Sequence, residues 1–496
     1  MKLSAFGSYT YNVKENKKYI PTSIKAGLSN RGEAYRGDNK SQSMLANMML
    51  TYKKAFGKHY INALALAEVQ RVTNTGFGAT VNGFSSDDFL YNNLQAGAVL
   101  KWGNNTSYYN NPSLASFMGR VNYSYADKYI VTVNARTDGS SKVGANNKWA
   151  FFPSASLAWV LSEEEFMKDI DIISNLKIRA GYGLAGNQDA ISSYMSLPLM
   201  SPNGTTTVNG LPVVTMGVTR NYNPDLKWEV KKTFDVGFDL GMFDERLTLG
   251  FDYYNSKTTD LLYNYDVKVP PFTYPTLLAN MGAMRNTGIE IAINAVPVRT
   301  KDFEWKTTVT ASHNKNKLVS LSNDLYETAN FRITGGLDAP ISQGTHYIEV
   351  GKELGHFYMI KSVGVSERGV FLVENPQTGE IEEMNDTMLA DENYRQDFGT
   401  GLPQLFAGWS NQLRYKNFDL SAQFTGQFFF KILNSPRAFY ENNAVFLNKL
   451  KSVLNAPYGG EYTLSRAQKQ AVVSYYLEDG DFVKLSNLTI GYTLPI

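Results

Sequence analysis

The 496-residue chain contains no cysteine, which excludes a disulfide framework, a thiolate metal site and a cysteine nucleophile. Histidine is almost as scarce. His59, His313, His346 and His356 are dispersed, with no H-E-x-x-H and no pair at i and i+4. With no Asp-rich calcium loop either, neither a bound metal nor a cofactor is expected. Charge of one sign is also missing: 48 basic residues stand against 46 acidic ones, for a net charge of +2. That balance argues against nucleic acid or an anionic surface as the main partner. No apolar run approaches the roughly 18 residues of a spanning helix, so a membrane protein of this sequence must cross with strands. The first eleven residues lack the basic and apolar regions of a secretory signal.

The chain is rich in Tyr and Phe, with 31 and 28. Aromatics favour strands and form the interface girdles of outer-membrane barrels. Their arrangement is more telling than their number. Phe234, Val236, Phe238 and Leu240 alternate with Asp235, Gly237 and Asp239, and Leu247, Leu249, Phe251 and Tyr253 alternate with Thr248, Gly250 and Asp252. Successive side chains on a strand point to opposite faces, so this is a hairpin with one apolar and one polar surface, turning at 241–246. The same alternation recurs at 129–136, 150–161, 175–182, 288–295, 303–312, 418–428 and 482–492. Each segment is about the 9 to 11 residues that a tilted strand needs to cross hydrocarbon. The weaker segments bring the expected total to roughly sixteen strands.

Connections are of two kinds. Short ones fall at 56–58, 126–128, 241–246, 298–302 and 415–417; long stretches rich in Gly, Asn, Ser and Thr fall at 71–92, 103–112, 137–148, 184–226 and 256–285. Tight turns at one end and long loops at the other are the habit of outer-membrane barrels. Residues 318–403 read poorly as strands and are expected to be a folded extracellular insertion. Helical signals are few. Ser162 and Glu165 match a capping box, predicting one helical turn before Met167 that bridges two strands at the periplasmic side.

Several motifs invite a chemical reading. Gly181, Gly183 and Gly186 spell G-x-G-x-x-G after a strand, but no helix opening and no acidic residue about 20 positions on complete a dinucleotide site, so a glycine-rich strand end is preferred. Arg136, Asp138, Gly139, Ser140 and Ser141 form a polar cluster in which Asp-Gly predicts a turn, with Arg136 free to pair with a lumen carboxylate. Glu163, Glu164 and Glu165 read as solvated charge rather than an acid and base pair, and Lys53, Lys54, Lys231 and Lys232 as ordinary solvated or headgroup-facing charge. No catalytic constellation emerges, so the chain is not expected to be an enzyme. Ligand-contacting residues stay unassigned.

Taken in order, residues 119–129 (GRVNYSYADKY), 136–141 (RTDGSS), 149–159 (WAFFPSASLAW), 162–167 (SEEEFM) and 176–188 (LKIRAGYGLAGNQ) resemble the barrel of SusC/RagA-type TonB-linked outer-membrane transporters. Residues 223–229 (NPDLKWE), 286–294 (NTGIEIAIN), 401–408 (GLPQLFAG) and 483–495 (VKLSNLTIGYTLP) continue the likeness to the end of the chain. The resemblance implies an all-β fold, a large antiparallel transmembrane β-barrel over residues 1–496 of the 22-stranded kind that a plug fills. It implies import of glycans or peptides in the outer membrane of a Bacteroidota-like cell. A SusD-like surface lipoprotein would be the partner, with energy supplied through TonB and no nucleic acid involved. Set against that family, the chain is expected to be a barrel fragment, incomplete at both ends, without signal peptide, TonB-contacting segment or plug. Residues 382–397 also lack an acidic Asp-and-Gly-rich run, which leaves no ion site expected there. Two other readings of the alternation stay open: a soluble or surface β-rich binding or adhesion module, and a siderophore-type TonB-dependent receptor.

Overall fold

The computed structural model describes residues 1–322, 329–444 and 448–494. Pro495, Ile496 and the part of the expected insertion at 323–328 lie outside the described residues. The fold is nearly all β, built from antiparallel ladders, and divides into two units.

Unit 1 comprises Met1–Leu157, Tyr182–Lys231 and Asp260–Asn280. Its strands β1 (Lys2–Ile20), β2 (Glu33–Phe56), β3 (His59–Phe84), β4 (Ser113–Tyr125) and β5 (Tyr129–Ser140) pair each with the next, antiparallel throughout. The turn between β4 and β5 holds Ala126 and Asp127 at φ 52° and 56°. Two consecutive positive φ values match the right-handed twist of the strands that the turn joins. Strands β6 (Trp149–Val160), β7 (Ile173–Asn187) and β8 (Glu229–Met242) divide their residues between the two units.

The register sorts side chains as alternation requires. On one face of unit 1, Leu50 pairs with Ala65, Ala65 with Gly119 and Gly119 with Ala135; Ala67 pairs with Phe117, and Val121 with Val133. On the other face lie Glu68 opposite Ser116, Ser116 opposite Asp138 and Asn122 opposite Thr132. The apolar face is open: Phe117 is 53% and Val121 48% exposed. At the short-turn end a group of aromatics gathers, with His59 against Tyr125 at 4.9 Å and against Phe56 at 5.1 Å. At the opposite end Val143, Phe152, Ile191, Leu226 and Trp228 close a small core beneath the long connections.

Those long connections are largely not loops. β3 runs to Phe84 through most of the polar stretch 71–92, and Asn105–Asn110 adds a short strand on its edge. Leu199–Val208 and Leu211–Arg220 form a hairpin turning at Asn209 and Gly210, and Leu262–Asp266 pairs with Thr276–Asn280. Gly and Asn are weak strand formers alone, but here cross-strand pairing decides.

Unit 2 comprises Ala158–Gly181, Lys232–Thr259 and Met281–Ile496. β9 (Leu247–Thr259), β10 (Ala283–Arg299), β11 (Phe303–Ser320), β12 (Leu405–Tyr415), β13 (Phe418–Phe428) and β14 (Phe482–Tyr492) pair in that order. Phe251 faces Ile291, Val309 faces Trp409 and Trp409 faces Phe424, while Asp252 faces Glu290 and Gly408 faces Thr425. Phe238 stacks on Phe251 at 5.5 Å, as the hairpin alternation requires. The β10 and β11 strands run several residues past their expected limits, and the expected turn at 241–246 tightens to 243–246.

The capping box does not form. Leu161–Glu163 and Glu165–Met167 are two 3-10 turns without side-chain caps; the Glu165 carboxylate pairs instead with Lys168 Nζ at 2.6 Å, and Ser162 Oγ turns to Asn175 Oδ1 at 3.5 Å.

Unit 2 also folds a packed body outside the ladder. Phe331–Gly336, Gly344–Glu349, His356–Ile360 and Arg395–Thr400 form one sheet, and Ser362–Val365, Phe371–Glu374 and Ile381–Glu383 another. Their core joins Met359, Phe371 and Val373 to Ala438, Val473 and Tyr476. The body thus recruits residues well beyond 318–403.

Candidate solute-facing surface

The polar face of unit 2 surrounds a concavity of about 680 Å³. Its floor is made of small residues, Gly250, Ala292, Gly408 and Gly426; Phe406 and Phe482 give it aromatic faces, and Gln423 and Gln427 give it amides. Such a surface pairs apolar faces with donors and acceptors, which suits a large polar solute.

Arg179 organises its charged side. The guanidinium forks onto two carboxylates, donating to Asp239 from Nε and Nη2, both at 3.2 Å, and to Asp252 from Nη2 at 2.9 Å and from Nη1. Lys177 adds a weaker contact to Asp239 at 3.7 Å. A planar fork with donors on two edges is what lets one cation hold two carboxylates at once. Gly237 makes room for it: a Cβ there would run into the Asp252 carboxylate and the backbone carbonyl of Phe251. The alternation around Asp239 and Asp252 placed both on the polar face, but nothing local named Arg179, which sits 60 and 73 positions away.

Unit 1 carries a second polar cluster on its own polar face. Arg136 Nε donates to both oxygens of Asp138 at 2.9 Å, and Ser116 Oγ donates to the same carboxylate. The expected turn at Asp138 and Gly139 is absent, because both lie within β5, opposite Ser116 and Ala115. Gly139 is needed there for another reason: the ring of Trp149 covers it so closely that a Cβ would stand 2.8 Å from ring atoms. Arg136 does pair with a polar-face carboxylate, and that carboxylate is its neighbour Asp138. Arg120, on the same face, has a buried Nε without a partner among the described residues.

The glycines 181, 183 and 186 lie in β7, and no helix opens on them. Gly186 lets the ring of Phe152 lie against the backbone, and Gly183 receives Ser154. In residues 223–229, Asn223 donates to Leu278 O at 2.7 Å, while Leu226 and Trp228 are core. That motif is a structural staple, as is Asn221, whose amide makes five hydrogen bonds to the segment 273–276.

The packed body holds a buried polar centre at Glu441 and a more open one at Asp397. Glu441, 2% exposed, accepts from Arg437 at 2.7 and 3.1 Å, from Tyr475 at 2.7 Å and from Ser452 at 2.8 Å. Burial pushes this carboxyl up, but those donors outweigh it and hold it below the usual range. Asp397 behaves alike: burial raises it, and the Gly399 N–H at 2.8 Å, His356 at 2.8 Å and Tyr347 at 2.9 Å bring it down. Burial lowers His346. Among the described residues no group of three acidic, His or Cys side chains gathers as metal ligands.

The family model described as TonB dependent receptor-like, beta-barrel, matches residues 2–354. TonB-dependent receptor P3 of Formosa agariphila is 34% identical over 511 residues, covering 99% of this chain and 49% of the relative. TonB-dependent receptor SusC of Bacteroides thetaiotaomicron is 28% identical over 463 residues, covering 90% and 44%. The chain therefore spans about half the length of the curated relatives it matches. The RagAB peptide transporter structure aligns with a TM-score of 0.79 at 23% identity, over 99% of this chain and 54% of that chain, a likeness of fold.

Proposed function

This chain belongs to the TonB-dependent receptor β-barrel family, and from that premise we propose that it is wall and external cap of a SusC/RagA-type outer-membrane importer. The observation that carries the reading is the two-faced ladder: apolar residues open to one side, Arg179, Asp239, Asp252 and the glutamines to the other. A sheet with one continuous apolar face left open is a liability in water and a requirement in lipid. That is the ground for preferring the membrane wall to a soluble binding module.

The cargo is an oligosaccharide or a peptide, held by the polar face through aromatic contact and hydrogen bonds. The likeness to RagAB, a peptide transporter, supports the peptide arm. TonB energises the passage, a SusD-like lipoprotein closes it from outside, and no step is enzymatic. The short turns face the periplasm, and the body built from 331–400 and 434–476 stands outside the cell. A strain with the full-length gene and its deletion, offered labelled oligosaccharides and peptides, tests the reading. Uptake lost on deletion for one solute class supports it; unchanged uptake of every solute overturns it.

A further inference from the structure

The apolar face of unit 1 is not uniform. At the end away from the short turns it opens into a concavity of about 740 Å³. The floor is small, Ala46, Ala115 and Gly139, between the open side chains of Met44 and Val69 and the indole of Trp149. Trp149 is itself braced by stacking on Phe117 at 6.0 Å. Two cations, Arg71 and Lys148, border the concavity, and among the described residues no carboxylate does.

Neither cation is neutralised by the described residues. Arg71 donates from Nε to Asn111 Oδ1 at 2.9 Å, and its terminal amino groups have no partner among the described residues. Lys148 is tethered by the carbonyls of Val143 and Ser141, at 2.5 and 3.3 Å, which aim the ammonium without cancelling its charge. Charge left unpaired beside hydrocarbon is costly unless it sits at the interface and meets an anion. The position fits. β4 has 13 residues, so Ser113 at the rim stands about 40 Å along the strand from the Tyr125 turn. At a tilt of about 40° that is about 30 Å of height, the far margin of an apolar band about 25 Å tall.

We propose that this groove binds a phosphorylated acyl lipid of the outer leaflet, a chain lying over Ala46, Ala115 and Gly139 and a phosphate between Arg71 and Lys148. An arginine fork and a fixed ammonium are matched to a phosphate, and basic rims beside apolar grooves take lipid headgroups. The inference rests on the membrane placement proposed above. It is read without any solute, so its failure leaves the importer reading standing.

The test uses the full-length protein in phosphatidylcholine nanodiscs doped with diphosphorylated lipid A or with its dephosphorylated form, retained lipid being counted by native mass spectrometry. Wild type retains the phosphorylated form selectively. Arg71→Gln with Lys148→Gln binds it about thirtyfold more weakly, about fivefold per charge. Ala115→Trp, which fills the floor and leaves both cations, loses retention as well. Heat-modifiable migration in detergent gels confirms that each variant is folded. Equal retention of the dephosphorylated lipid, or unchanged retention in the double variant, overturns the proposal. So does displacement by inorganic phosphate at equal concentration, since the groove would then contribute nothing.

Discussion

Replacing Arg437 by Met removes the cation that holds the buried Glu441 carboxylate and keeps most of the side chain's bulk. The guanidinium contacts disappear: two hydrogen bonds to Glu441, at 2.7 and 3.1 Å, one to Glu478 at 2.7 Å, and the packing on the Tyr475 and Tyr476 rings at 4.7 and 6.0 Å. Tyr475 and Ser452 remain to satisfy a carboxylate that is 2% exposed. Stranding one partner of a buried pair costs about 3–5 kcal/mol. Opening of the packed body then becomes at least a hundredfold more frequent. Native-state hydrogen exchange reads this at the amides of Ala438, Val473 and Tyr476, with the β12 amides as an internal control. The pH slope is the sharper test. In the wild type Glu441 sits below its unfolded value of 4.5, so its contribution is present above that pH and is lost as the pH falls through the folded value. In the variant the stranded carboxyl rises above 4.5, so the body regains stability as the pH drops towards it. Exchange that is unchanged at neutral pH, or slopes of the same sign in both proteins, would refute the reasoning.

Other perturbations have equally definite outcomes. Arg179→Met leaves Asp239 and Asp252 facing each other and costs about 2 kcal/mol, seen as a lower transition in heat-modifiability gels. With no native cysteine, single-cysteine variants report each face cleanly: Asn122→Cys should react in membranes with a water-soluble maleimide and Val121→Cys should not. Equal labelling would remove the two-faced ladder. Asn221→Ala, which strands the backbone groups of 273–276, costs about 2 kcal/mol and exposes that segment to limited proteolysis. Wild-type exchange in the packed body should rise as the pH falls below about 6.5, because His346 is held neutral by burial and the unfolded chain binds the proton first.

Alternation made the ladder legible because it is local: Asp239 and Phe238 declare their faces within a few residues of chain. The same cue failed where partners were distant. Asp138 and Gly139 read as a turn until the ring of Trp149 is seen covering that glycine. The polar stretch 184–226 read as a loop although it holds Asn209 and Gly210, the dipeptide that closes a hairpin with positive φ at both positions. Arg179 was hidden because its partners belong to other strands. A folded insertion over 318–403 was expected, but its reach to 434–476 was hidden because Phe371 and Val473 carry no periodic signal that they share a core.

That body has a consequence for how the chain is assembled. Its two halves flank the hairpin of β12 and β13 in sequence, so the core linking Met359 to Val473 cannot close until both strands have been delivered. Neighbouring strands need only short loops to meet, whereas this closure must gather contacts about a hundred residues apart. Biogenesis is therefore expected to proceed wall first and cap last, with the cap's oily side chains shielded by chaperones during export.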